Sequence, residues 1–71
     1  MPLVEVTLVE GRSHDQLRAL ISAVTKAVET SIDSPSQNVR VVLREVAATH
    51  WASGDVTIAE RENAGAEQEN P

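Results

Sequence analysis

The chain has no cysteine, phenylalanine or tyrosine, one tryptophan and two histidines among 71 residues. Without cysteine, disulfide stapling, thiolate catalysis and thiolate metal sites are excluded. His14 and His50 lie far apart in sequence, so no structural zinc site is expected. No apolar run approaches the ~20 residues that span a bilayer. The first residues lack the basic stretch and apolar run of a secretory signal, and a soluble, cytoplasmic setting is expected. Positive charge is also scarce: six basic residues against eleven acidic ones give a net charge of −5 and a pI near 4.8. A nucleic-acid backbone needs a clustered basic surface, so that class of partner is set aside.

Much of the acidity is C-terminal, at Glu60, Glu62, Glu67 and Glu69. That stretch has no large apolar residue with which to offset its ordering entropy. Residues 60–71 are therefore read as an acidic, disordered tail, and residues 2–59 as one domain. A domain of this size buries only about 60% of the surface its unfolded chain exposes. With neither disulfide nor metal to help, association with other subunits is the remaining support.

Leu3 to Val9 is rich in β-branched residues and reads as a strand with apolar side chains on both faces. Glu10-Gly11-Arg12 is a turn. Ser13 is a good helix N-cap, and Gln16 three residues on completes a capping-box pattern. From there to about Ser31, Leu17, Leu20, Ile21, Val24, Val28 and Ile32 recur at three- and four-residue spacing as one apolar stripe. Thr25 falls on the solvated side. After the turn-forming Asp33-Ser34-Pro35-Ser36-Gln37, Asn38 to Val46 alternates as a second strand. Strand, long helix and strand form a βαβ unit with parallel strands. Gly54-Asp55 is a turn, and Val56-Thr57-Ile58 closes a short hairpin. One helix covers one face of a two-stranded sheet; the other face, with its Val and Leu side chains, is left for other copies.

Three features bear on chemistry. Pro2 follows the initiator Met1, and a small second residue permits trimming of that methionine. The product is a secondary amine whose pKa, about 7.7–8.0 for an ordinary α-amine, falls with burial and nearby cations. Such an amine is neutral at cell pH and suits general-base catalysis without a cofactor or metal. Many chains begin Met-Pro to no catalytic purpose, so the dipeptide alone does not decide. Arg12 and Arg40 have the fork geometry that grips carboxylates, or are solvated surface arginines. Trp51 is an anchor for packing or the wall of a site. His50 reads as a surface residue, and Arg44 as a balance for Glu45 or for another subunit's acid.

Together, Pro2-Leu-Val-Glu-Val at the start, Leu8-Val-Glu-Gly-Arg-Ser13 and Asn38-Val-Arg-Val-Val-Leu-Arg-Glu45 resemble the 4-oxalocrotonate tautomerase family over Pro2 to about Ile58. The resemblance implies an α+β fold: a βαβ protomer with two parallel strands, one long helix and a short C-terminal hairpin. It implies a homo-oligomer, usually a hexamer built as a trimer of dimers, with the site shared between subunits. Pro2 and Arg12 would lie near each other, and Arg40 and Trp51 would arrive from neighbours. The implied reaction moves a proton in an enol or keto acid such as 2-hydroxymuconate. Pro2 would be the general base, Arg12 and Arg40 would bind substrate, and Trp51, where the family usually has Phe, would exclude water.

Some relatives instead hydrate or dehalogenate 3-haloacrylates. They use a water-activating Glu where this chain has Ser53 and an additional arginine where it has Val9, which ranks that activity below tautomerisation. A third reading is a non-catalytic assembly module, favoured if Met1 is retained and the Pro2 nitrogen stays an amide.

Overall fold

A computed structural model describes residues 1–69 of the chain. The elements run β1 (Leu3–Val9), α1 (His14–Ile32), β2 (Arg40–Val46), β3 (Ala52–Ser53), β4 (Val56–Thr57) and α2 (Ile58–Glu69). β1 and β2 pair in parallel, in register from Leu3↔Arg40 to Val9↔Val46. The fold is thus the α+β arrangement expected: two parallel strands joined by one long helix, then a hairpin.

Local chemistry sets each boundary. Gly11, with φ of 132°, turns the chain out of β1 in a region that side chains with a Cβ rarely enter. Ser13 then caps α1: its Oγ accepts the Gln16 amide at 3.1 Å, and the Gln16 side chain accepts the Ser13 amide at 2.9 Å. The pair satisfies two of the amide donors that a helix start leaves without partners. Asp33 ends the helix in the left-handed region at φ 55°. β2 starts two residues later than the alternation suggests. Ser36–Asn38 wind into a 3-10 turn, in which the Asn38 and Val39 amides bond to Pro35 and Ser36 carbonyls.

α1 lies on the sheet face formed by Val4, Val6, Leu8, Val41 and Leu43, all half-buried, and turns Leu17, Leu20, Ile21, Val24 and Val28 toward it. Thr25, expected in solvent, is also half-buried and donates its hydroxyl to the Ile21 carbonyl at 2.8 Å. Ile32 at the helix end stays exposed instead of joining the stripe. Among the described residues only Val39, 8% exposed, is a buried apolar side chain. The opposite sheet face is open, with Leu3 56% and Val42 39% exposed.

The protomer exposes 5440 Å², against about 4,300 Å² for a compact monomer of its mass. Its radius of gyration is 16.7 Å, where a compact chain of this length has about 11 Å. A single copy is therefore short of core, and the deficit lies on the open sheet face and around the C-terminal elements.

β3 and β4 form an antiparallel hairpin, Ala52↔Thr57 and Ser53↔Val56. Gly54 and Asp55 make its two-residue turn with φ of 60° and 67°, as such hairpins require. Ile58, expected to end the closing strand, opens α2 instead. The acidic stretch from Glu60, read as a disordered tail, has helical backbone through Glu69, and residues 70 and 71 lie outside the described residues. The reason is a second capping box. The Thr57 hydroxyl accepts the Glu60 amide at 3.1 Å, and the Glu60 carboxylate accepts the Thr57 amide at 2.9 Å. Ala, Glu and Gln, good helix formers, dominate the sequence of α2 beyond its first residue.

Candidate active site between subunits

Pro2 is half-buried at the N-terminal end of the sheet, just before β1. Its carbonyl accepts the backbone amide of Arg40 at 2.9 Å, so the start of β1 and the start of β2 are tied together at these two residues. The 3-10 turn delivers Arg40 there, and the Arg40 guanidinium reaches back to the Gln37 carbonyl at 2.8 Å. Met1, which acylates the Pro2 nitrogen in the full chain, is almost wholly exposed.

Arg12 occupies the other end. Its guanidinium donates to the Val9 carbonyl at 2.8 Å, at the C-terminal end of β1. Both candidate arginines are thus held by a carbonyl three residues back. A guanidinium has five donors in a rigid fork, so one such tether restrains it while leaving capacity for an anion. Pre-organisation of this kind lowers the entropy lost on binding.

The seven residues of β1 and the Glu10-Gly11 turn lie between Pro2 and Arg12, and β1 alone runs about 23 Å at strand rise. Within one chain Pro2 and Arg12 therefore stand at opposite ends of β1. The residue brought to Pro2 is Arg40, because parallel pairing puts the starts of both strands at one end. Any contact between Pro2 and Arg12 has to be made across subunits.

Trp51 follows the far end of β2, after a 3-10 turn over Ala48–His50. It is exposed at 37%, and its carbonyl accepts the Ile58 amide at 2.9 Å, extending the hairpin ladder by one step. Trp51 and Arg12 thus both follow the end of the sheet opposite Pro2 and Arg40.

At Ser53 and Val9, the positions tied to haloacrylate chemistry, the backbone carbonyls accept from the Arg61 and Arg12 guanidiniums respectively. Arg44 pairs with Glu5 across the strands at 3.1 Å, not with its neighbour Glu45. The pair is largely exposed, so it stabilises the protomer by about 1 kcal/mol at most. Arg61, whose guanidinium lies 3.3 Å from the Ser53 carbonyl, was not singled out by the sequence. Only the Thr57-x-x-Glu60 pattern just ahead of it, the same cap signature as Ser13-x-x-Gln16, could have drawn attention there.

No helix among the described residues is long and apolar enough to cross a membrane, and no metal-holding cluster of His, Cys, Asp and Glu occurs among them.

The sequence and fold have clear relatives. A probable tautomerase of Ralstonia nicotianae is 43% identical over 56 residues, covering 79% of this chain and 80% of that protein. The 2-hydroxymuconate tautomerase of Pseudomonas putida is 39% identical over 54 residues, covering 76% and 86%. Among solved structures, TomN, a 4-oxalocrotonate tautomerase homologue of the tomaymycin biosynthetic pathway, superposes with a TM-score of 0.86 at 39% identity, covering 87% of this chain and 95% of that one. A heterohexameric 4-oxalocrotonate tautomerase from Chloroflexus aurantiacus gives a TM-score of 0.82 at 38% identity, covering 84% and 97%. The model of the tautomerase enzyme family matches residues 2–61, and the chain, with its βαβ fold and isomerase-type relatives, belongs to that family.

Proposed function

We propose that this chain is a cytoplasmic tautomerase of aromatic catabolism, acting on an enol or keto acid such as 2-hydroxymuconate. Residues 2–59 form its working unit, assembled as a homo-hexamer, a trimer of dimers. Removal of Met1 frees the Pro2 amine, which takes the substrate's hydroxyl proton and returns it to carbon; no cofactor enters. Arg40 binds the oxygen at carbon 2 and the adjacent carboxylate. Arg12 of a neighbouring subunit holds the distal carboxylate and draws electron density toward it. Trp51 excludes water, and a low local dielectric together with the guanidinium groups keeps the amine neutral. Fixed positive charge aimed where negative charge develops is often the largest catalytic contribution.

The observation that supports this reading most is the Arg40-to-Pro2 backbone hydrogen bond, which ties the starts of β1 and β2 together at one end of the sheet. The exposed Leu3 and Val42, the scarcity of core in one copy and the heterohexameric neighbour support assembly. The test joins N-terminal mass spectrometry of native protein to a 2-hydroxymuconate assay. Loss of Met1 together with turnover is expected. Turnover by a chain that retains Met1 would remove Pro2 as the base.

A further inference from the structure

The C-terminal segment contains a set of interactions that neither strand pairing nor the proposed chemistry uses. Thr57 belongs to β4 and also caps α2. Glu60 closes the box onto the Thr57 amide. Arg61, one residue later, reaches back across the hairpin to the Ser53 carbonyl at 3.3 Å. Ile58, the first residue of α2, donates its amide to the Trp51 carbonyl at 2.9 Å. α2 also packs on Ala48–His50, the turn just before Trp51. Trp51 is thereby flanked on both sides of the chain by backbone that α2 holds.

The Thr57–Glu60 and Arg61–Ser53 hydrogen bonds are exposed, and the hairpin they secure has only two residues per strand. A two-stranded hairpin is marginal in water without further packing. Its order therefore depends on the first turn of α2, and the position of Trp51 depends on that hairpin.

We propose that the first turn of α2 is a clasp that sets the position of Trp51, with Arg61 and the Thr57–Glu60 capping box as positioning residues. The clasp rests on the reading of Trp51 as the wall of the site, and its effect on turnover is exerted through that side chain. Opening it lets water reach the base and slackens the grip on substrate while leaving Pro2, Arg12 and Arg40 in place.

Trp51 is the only tryptophan in the chain, so its emission reports the clasp directly. The experiment compares the full-length assembled protein with Arg61→Ala, Arg61→Lys, Thr57→Val, Trp51→Ala and the Trp51→Ala/Arg61→Ala double variant, each checked by native mass. Arg61→Ala and Thr57→Val are expected to shift Trp51 emission to the red and to lower its anisotropy, with Arg61→Lys restoring both. Each of the two is expected to lower kcat/KM for 2-hydroxymuconate by about fivefold, and Arg61→Ala to add nothing once Trp51 is absent, the non-additivity of residues that act through one another. Unchanged Trp51 emission in both variants would overturn the clasp, as would an undiminished Arg61→Ala effect in the Trp51→Ala background. A parent protein without turnover would defeat the tautomerase reading alone, because the emission comparison still decides the clasp.

Discussion

Arg40 donates its backbone amide to the carbonyl of Pro2 at 2.9 Å. The bond fixes the start of β2 against the start of β1, so the candidate base and one candidate anion-binding residue share one end of the sheet. Arg12 is held at the other end by the Val9 carbonyl. The division between the two ends shapes the behaviour expected of variants.

Pro2→Ala retains a trimmed chain end but replaces the cyclic secondary amine with a primary one. Turnover of 2-hydroxymuconate is expected to fall by about 10²-fold, the lower range of a general-base contribution. Native mass should remain that of the parent assembly. Parental turnover by a variant with confirmed N-terminal alanine would show that the base lies elsewhere.

Arg12→Ala removes a charge-assisted grip of about 1.5–3 kcal/mol. kcat/KM for a dicarboxylate enol should drop by roughly tenfold to a hundredfold. A monocarboxylate enol, which lacks the distal group, should lose little. Equal losses on both substrates would assign Arg12 a structural part instead.

Ser13→Ala deletes the side-chain half of the cap on α1, at a cost of about 1 kcal/mol. Thermal midpoints at matched protein concentration should fall by several degrees, with turnover at low temperature unchanged. An unaltered midpoint would mean that assembly, not the cap, fixes the helix start.

Glu60 titrates below its ordinary value of 4.5 because the Thr57 amide and hydroxyl favour its charged form. A carboxylate whose folded pKa is depressed stabilises the fold above its unfolded pKa and loses that contribution as pH falls through the folded value. The cap on α2 is therefore expected to hold at neutral pH and to weaken below about pH 4.5, the range of an unperturbed glutamate. Helix content followed by circular dichroism should decline there less steeply in Glu60→Gln, which keeps a neutral acceptor. Identical acid profiles would detach Glu60 from the helix start.

The exposed Leu3 and Val42 predict that stability depends on self-association. Unfolding midpoints should rise with protein concentration, as mass action requires for a fold completed by partners. Val42→Glu, which sets a second acid opposite Glu5 in the register, should release smaller species in native mass spectra. Concentration-independent unfolding would contradict the link between the open face and assembly.

The βαβ core was legible because its signals were local and strong. Ser13 and Gln16 marked the start of α1, β-branched alternation marked both strands, and the apolar stripe from Leu17 to Val28 chose the face. The start of β2 was less clear, because the Ser36–Asn38 turn is set by hydrogen bonds to Pro35 and Ser36 rather than by hydropathy. α2 is hidden by its polarity: the stretch has little to bury, yet Thr57 and Glu60 carry the cap that Ser13 and Gln16 carry. For the candidate site, the residues could be named from the sequence, but which of them share one end of the sheet could not. Adjacency in a parallel sheet follows strand starts and ends, so Pro2 meets Arg40, although Arg12 is far closer to Pro2 in sequence.

β1 acts as a ruler: with Pro2 before one end and Arg12 beyond the other, the proposed chemistry would make each copy a donor of half-sites. Two differently damaged copies, one lacking Pro2 and one lacking Arg12, would complement when mixed, each lending its intact end.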